Sequence, residues 1–225
     1  MKHMQGTKPW SKPYRFALVA TAGILVLSYF GFRTSYWTLF PEVDATGWQV
    51  HFHVLTIVLW LGMLVAQARL AYVGRIDAHK RIGRWSYVLV PIILIGFVLV
   101  TDFGQRRHKE AALLGATLFD AGLFLLCYGM AILRRRNSTE HSRYMMLTPV
   151  AFLNPALGRA IAPEVSVPVQ LVLLLTILIV ARVRKQPWMP YAVVLAGWFA
   201  LMLVVIFISV IQPGIMEGLW EMIWG

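Results

Sequence analysis

Seven long apolar segments constrain this chain more than any other feature of its sequence. A bilayer core about 30 Å thick needs roughly 20 apolar residues per helix. The connections are too short for a soluble domain, and the alternation typical of a membrane β-barrel is missing. We therefore predict an all-α polytopic membrane bundle of about seven transmembrane helices, forming one domain over residues 1–225. The segments are Phe16–Phe32, Trp48–Tyr72, Trp85–Val100, Ala111–Leu133, Tyr144–Ala162, Val165–Ala181 and Met189–Ile211.

The two ends of the chain carry different membrane signals. Lys2, Lys8, Lys12 and Arg15 precede the first segment, which resembles a signal peptide but lacks a small-residue cleavage site. We expect it to be retained as a helix. At the other end, residues 213–225 include the motif GLWEMIWG. Because tryptophan favours membrane–water interfaces, this tail is predicted to be an interfacial anchor.

The basic charge of the chain predicts its orientation. The net charge is +11, and cytoplasmic loops of membrane proteins carry an excess of Lys and Arg. Basic loops follow the second, fourth and sixth segments, and only the connection with Arg106, Arg107 and Lys109 breaks this trend. We predict a bacterial inner-membrane protein with its N-terminus inside and its C-terminus outside. Its charge would contact anionic lipids rather than nucleic acid. The basic residues are Arg75, Lys80, Arg81, Arg84, Arg134, Arg135, Arg136, Arg182, Arg184 and Lys185.

Five of the six histidines lie at the ends of apolar segments. In an antiparallel bundle, His51, His53 and His108 would lie at one membrane face, and His79 and His141 at the other. An imidazole is costly in lipid and is usually kept for a ligand, a proton or a metal. The pattern therefore indicates two cofactor sites, one above the other.

Helical geometry separates the two neighbouring histidines of the second segment. His51 and His53 are two positions apart, so their side chains point about 200° from each other. The sequence favours His53 as the functional residue, because an apparently inward face follows it. His108 lies in the polar stretch QRRHKE, where it is either a ligand or a solvated loop residue. The inward face consists of Ile57, Trp60, Leu64 and Gln67.

A short motif, H-x-R, occurs twice on the predicted inner side. It begins at His79 and again at His141, each just before or at the start of an apolar segment. This arrangement suits a haem, because imidazole ligates iron while arginines pair with the propionates. The alternative is a juxtamembrane basic motif in which the histidine is incidental. The candidate propionate partners are Arg81, Arg84 and Arg143.

Three polar residues lie within apolar segments. An acidic residue such as Asp120, in the middle of its segment, must be protonated, paired or hydrated. We expect it to pair with Arg159 or, if protonated, to bond Asn154, either as a polar staple or for proton or substrate handling. Pro149 and Pro155 interrupt the fifth segment. Such breaks occur where a helix lines a cavity.

Part of the chain resembles known membrane proteins. The runs HFHVLTIVLWLGMLVAQ, AHKRIGRWSYVLVP and HSRYMMLTPVAFLNPALGRAI are similar to a group of bacterial seven-helix membrane proteins with no assigned function. Residues 48–162 resemble the four-helix core of the transmembrane di-haem cytochrome b superfamily, which includes ferric reductases. That resemblance implies transmembrane electron transfer through one or two b haems, ligated by His53 with His108 and by His79 with His141. It also implies a separate redox partner or a larger complex, because no flavin or nicotinamide motif is present.

Two other functions compete with the haem interpretation. His51, His53 and His108 would together leave a fourth position open on zinc, which is a catalytic pattern. A non-enzymatic accessory, assembly or pigment-binding subunit would need no cofactor of its own. The single cysteine, Cys127, argues against a cysteine-rich metal site and against covalent haem attachment. Enzymatic and non-enzymatic roles both stay open at this point.

Overall fold

The computed structural model describes residues 11–38, 47–108 and 111–211, with isolated positions between 214 and 222. These residues are almost entirely helical, and no β-strand occurs among them. The predicted all-α class is confirmed. The predicted interfacial anchor at 213–225 lies mostly outside the described residues, as do Lys2 and Lys8.

The helices follow one another with short connections. In chain order they are α1 Ser11–Gly31, α2 Trp48–Tyr72, α3 Ile76–Gly83, α4 Ser86–His108, α5 Ala111–Leu133, α6 Ser138–Leu147, α7 Leu153–Ala160, α8 Pro163–Val183 and α9 Met189–Ile206. A 3-10 turn, Thr148–Phe152, joins α6 to α7. Single π-helical turns, Arg33–Trp37 and Phe207–Ile211, follow α1 and α9.

Five stretches are long and apolar enough to cross a bilayer: Trp48–Tyr72, Ile76–Asp102, Leu114–Leu133, Glu164–Val183 and Met189–Ile211. With α1 and the interrupted α6–α7 segment, they account for the seven apolar segments of the sequence. Only 11% to 39% of the most apolar window of each stretch is buried. Most of the apolar surface therefore faces outward, which suits lipid far better than water.

The fifth apolar segment is broken, as its prolines predicted. Pro149 enters the 3-10 turn, because proline has no N–H to donate and its ring clashes with the preceding helical turn. At the break the carbonyl of Val150 accepts from the backbone N–H of Leu153, and Nε2 of Gln170 in α8 also donates to it at 2.8 Å. The indole N–H of Trp198 in α9 donates in turn to Oε1 of Gln170. Side chains from two other helices therefore stabilise the break.

The centre of the bundle is aromatic. Trp60 of α2 is fully buried, and its ring lies 5.1 Å from that of Phe124 and 5.7 Å from that of Tyr128, both on α5. The indole N–H of Trp60 also donates to Oγ1 of Thr148 at 3.1 Å. The inward face predicted for α2 is therefore confirmed at its midpoint.

The basic loops come together at one end of the bundle. Nη1 of Arg135, in the α5–α6 loop, donates to the hydroxyl of Tyr87 at the start of α4, at 3.1 Å. The side chain of Arg143 in α6 lies beside that of Tyr191, at the start of α9. We call this the basic end. The opposite end, with Tyr36, the start of α2 and the last residues of α4, is called the far end.

Candidate functional site

Two histidines meet at the basic end. His79 lies on the short helix α3, and His141 lies in the first turn of α6. Their ring centres are 6.5 Å apart, and the ring planes are nearly perpendicular at 83°. Both side chains are half-buried. The fold therefore brings together two residues that are 62 positions apart in the sequence.

Hydrogen bonds fix the tautomer of both rings. Nδ1 of His79 bonds the carbonyl of Gln67 at 3.3 Å, and Nδ1 of His141 bonds the carbonyl of Ala131 at 2.8 Å. A carbonyl oxygen can only accept, so each Nδ1 must carry the proton. The Nε2 atom of each neutral ring then has a free lone pair. Ala131 lies in the last turn of α5, where helix carbonyls lack intrahelical partners.

The geometry of this pair fits two ligands of one metal ion. Metal–imidazole bonds are about 2 Å long, so imidazoles on opposite sides of one ion have ring centres about 6 Å apart. The observed separation of 6.5 Å is close to that value. Metal-ligating histidines also typically donate their second ring N–H to a carbonyl or carboxylate, as both do here. The ring separation and the Nδ1–carbonyl bonds therefore match two features of histidine pairs that share one metal ion.

An unsatisfied amide lies beside the pair. Oε1 and Nε2 of Gln67 are both buried and have no hydrogen-bond partner among the described residues. A Cβ atom at Gly83, in α3, would lie 3.4 Å from that Nε2. A buried amide left unpaired costs about 1–3 kcal/mol. Sequence reasoning placed Gln67 on the inward face of α2 but did not assign it to the site. An amide ending an otherwise apolar face was the available signal.

The three arginines predicted to serve the site are placed differently. Arg81 and Arg84 are exposed at the basic end, on and just after the helix that carries His79. Arg143 is two residues after His141, so the two side chains point about 200° apart. Arg143 lies beside Tyr191 and donates from Nη1 to the carbonyl of Thr139 at 3.1 Å. It therefore faces α9 rather than the histidine pair.

The two histidines at the start of α2 point in different directions, as helical geometry predicted. Nδ1 of His51 lies 2.8 Å from the hydroxyl of Tyr36. Burial raises the pKa of Tyr36, so this phenol keeps its proton at neutral pH. The ring of His53 lies instead against α4, 5.1 Å from the ring of Phe97. A Cβ atom at Gly96 would be 3.5 Å from Nδ1 of His53. At the far end the imidazoles are therefore held by a phenol and by close packing.

His108 lies elsewhere than its sequence position suggested. It is the last residue of α4 rather than the residue that begins α5, and its side chain lies outside the described residues. His53 packs beside Gly96, and helical rise separates Gly96 from His108 by about 18 Å. The pairing of His53 with His108 stays a prediction.

The alternative zinc site is not found in the part of the chain that the structure describes. No group of three or more His, Cys, Asp or Glu side chains there could hold a metal ion. His51 and His53, two of its three predicted ligands, contact different helices. Because the side chain of His108 lies outside the described residues, the three-histidine site also stays a prediction.

The intramembrane polar residues form a link between helices. Nδ2 of Asn154 in α7 donates to Oδ1 of the buried Asp120 in α5 at 2.9 Å, which confirms one of the two expected pairings. Arg159 donates instead to the carbonyl of Pro155 at 3.2 Å. Its guanidinium lies 4.7 Å from the centre of the Phe32 ring. The Asp120–Asn154 bond therefore joins α5 to the broken segment.

The described part of the chain is an all-helical bundle with membrane-length apolar helices and a histidine pair at its basic end. No protein-family model matches the chain, no curated protein matches its sequence, and no solved structure matches its fold. The features that bear on function are therefore the histidine pair and its surroundings.

Proposed function

We propose that this chain is an integral membrane b-type haem protein that takes part in transmembrane electron transfer. It would lie in a bacterial inner membrane with the basic end in the cytoplasm, following the positive-inside rule. His79 and His141 would hold the haem iron. One observation carries the proposal: both Nδ1 atoms donate to backbone carbonyls, so both Nε2 lone pairs are available at a ring separation of 6.5 Å.

The residues around the pair would each have a defined part. A b haem supplies an iron that takes up and releases one electron reversibly. The carbonyls of Gln67 and Ala131 hold the two imidazoles in orientation and raise their basicity as ligands. The unsatisfied Gln67 amide would bond a polar group of the cofactor. Arg81 and Arg84, exposed at the same end, are placed to neutralise propionates at the surface.

A single haem at the basic end is favoured over two. The far-end histidines are engaged by Tyr36 and by the packing of α4, and helical rise places His108 far from Gly96, beside which His53 packs. His79 and His141 at the basic end can bind a metal ion through Nε2 without any change in their present hydrogen bonds.

A continuous series of aromatic rings supports electron transfer through the bundle from one end to the other, rather than along its surface. The series begins at Tyr128, one helical turn before Ala131, whose carbonyl holds His141. It ends at His53, near the far end. Successive ring centres along Tyr128, Trp60, Phe124, Phe152, Phe97 and His53 are 5.1 to 6.4 Å apart. The electron donor would be a separate redox partner or another subunit of a larger membrane complex.

An optical spectrum of the full chain tests the proposal. The protein would be produced with haem available, purified in mild detergent, and measured oxidised and then reduced with dithionite. We expect a Soret band that shifts on reduction, with one haem per chain. A colourless protein would contradict the proposal. A content of two haems per chain would restore the pairing of His53 with His108.

A further inference from the structure

A cavity of about 250 Å³ lies between α1, the α6–α7 segment, α8 and the start of α9. It is the kind of cavity that the helix break predicted, because the broken segment forms one wall. Apolar cavities of about 150 Å³ already take up benzene-sized molecules. This cavity therefore has room for part of a hydrocarbon chain. Its walls include Leu27, Met146, Leu147, Leu153, Ile177 and Tyr191.

A cation lies next to one wall of the cavity. Tyr191, a phenol in that wall, lies beside the side chain of Arg143. Met146 and Leu147, also in the wall, follow Arg143 by three and four residues and so share its face of α6. Nε of Arg143 is buried and has no hydrogen-bond partner among the residues that the structure describes. An apolar cavity thus lies next to a guanidinium with an unused donor.

We propose that this cavity holds one acyl chain of an anionic phospholipid, whose phosphate is bound by Arg143 with Tyr191. Guanidinium groups bind phosphate through charge-assisted hydrogen bonds, and a phosphate would satisfy the unused Nε donor. Arg143 lies at the basic end, beside the loops expected to contact anionic headgroups. A lipid without a phosphate, such as diacylglycerol, would leave the guanidinium without an anion, and a free phosphate would leave the cavity unfilled. The site lies on the opposite side of α6 from His141 and does not depend on a bound haem.

Native mass spectrometry of the full chain, released from detergent, tests this site. The probes are phosphatidylglycerol, diacylglycerol with the same chains, and glycerol phosphate. We expect the wild-type protein to keep one phosphatidylglycerol and to bind the other two probes at least about tenfold more weakly. Equal binding of the two lipids would overturn the proposed phosphate contact. Glycerol phosphate binding as tightly as phosphatidylglycerol would overturn the role of the cavity.

Three variants locate the bound lipid. Arg143→Gln should weaken phosphatidylglycerol binding about tenfold, whereas Arg136→Gln, the same charge change at an exposed site, should leave it unchanged. Equal losses in both would mean that the preference comes from net charge alone. Ile177→Phe narrows the cavity at a half-buried position and should also weaken binding. Unchanged binding in a folded Ile177→Phe protein, with folding checked by its melting temperature, would place the chain outside the cavity.

Discussion

The histidines at the two ends of the bundle have different hydrogen-bond partners and different packing. At the basic end, His79 and His141 donate from Nδ1 to backbone carbonyls, which leaves Nε2 able to ligate. At the far end, His51 bonds a phenol and His53 packs against a ring. The Tyr36 hydroxyl can donate to Nδ1 of His51 or accept from it, so this bond does not select one tautomer of His51. Similar positions at helix ends thus differ, because a carbonyl partner fixes the tautomer of an imidazole and a hydroxyl partner does not.

The packing around the histidines also differs between the basic end and the far end. Gln67 beside His79 has a buried amide without a partner, and only this flexible side chain lies close to Gly83. At the far end, Gly96 faces the backbone of His53 directly. Both ends therefore have a buried polar group without a hydrogen-bond partner among the described residues: the amide of Gln67 at the basic end and Nδ1 of His53 at the far end. They differ in packing, because Gly83 faces a flexible side chain whereas Gly96 faces backbone.

Alanine at each histidine gives the largest expected effect. His79→Ala and His141→Ala should each abolish the haem absorbance, because a low-spin bis-histidine centre needs both ligands. His51→Ala and His53→Ala should keep it. The measurement is haem per chain together with the reduced-minus-oxidised spectrum. Full haem content in either basic-end variant would disprove the pair, and loss in His53→Ala would move the site to the far end.

Alanine at two glycines compares the packing of the two ends. A Cβ atom at Gly96 would lie 3.2 Å from Oγ1 of Thr56 and 3.4 Å from Cα of His53, and neither neighbour moves easily. At Gly83 only the Gln67 side chain needs to shift, so the helix-propensity gain of up to about 1 kcal/mol should survive. We expect Gly96→Ala to be less stable than Gly83→Ala by about 2 kcal/mol.

Reversible unfolding in detergent, monitored by helical circular dichroism, measures that difference. Equal stability of the two glycine variants would mean that the far end is no more tightly packed than the basic end.

Removing the unsatisfied amide of Gln67 should stabilise the haem-free protein against unfolding but weaken its hold on haem. Gln67→Leu should stabilise the haem-free protein by about 1 kcal/mol, because a buried amide without a partner is replaced by an apolar side chain. In the haem-loaded protein the same change should speed haem loss to an apomyoglobin acceptor. If the haem-free protein is destabilised instead, the amide is satisfied within the protein and is not available to a ligand.

The smallest effect is expected at the phenol of the far end. Tyr36→Phe removes the hydroxyl bonded to His51 and should cost about 0.5–1.5 kcal/mol of unfolding free energy. The haem spectrum should not change, because His51 is not a ligand. A shifted Soret band in this variant would connect the far end to the cofactor.

Much of the framework could be predicted from local patterns. The apolar segments predicted the helices, Pro149 predicted the break, and the spacing from His53 to Trp60 predicted the inward face of α2. The bond between Asp120 and Asn154 was one of two expected pairings. The helices, the break and the inward face follow from neighbours along the chain or from helical periodicity, which a sequence displays directly. The choice of Asn154 over Arg159 as the partner of Asp120 depended on how α5 packs against the broken segment.

The sequence by itself determined the all-helical class, the membrane-length segments and the grouping of histidines at segment ends, because hydrophobic length and 3.6-residue periodicity act locally. Only the tertiary structure decided which imidazoles keep a free lone pair. Those tautomers depend on carbonyls of Gln67 and Ala131 that other helices bring within reach. The direction of the Arg143 side chain, toward Tyr191 and away from the histidine pair, likewise depended on where α9 lies in the bundle. Hydrogen bonds between helices depend on how the helices pack, and that packing is decided by the whole bundle at once.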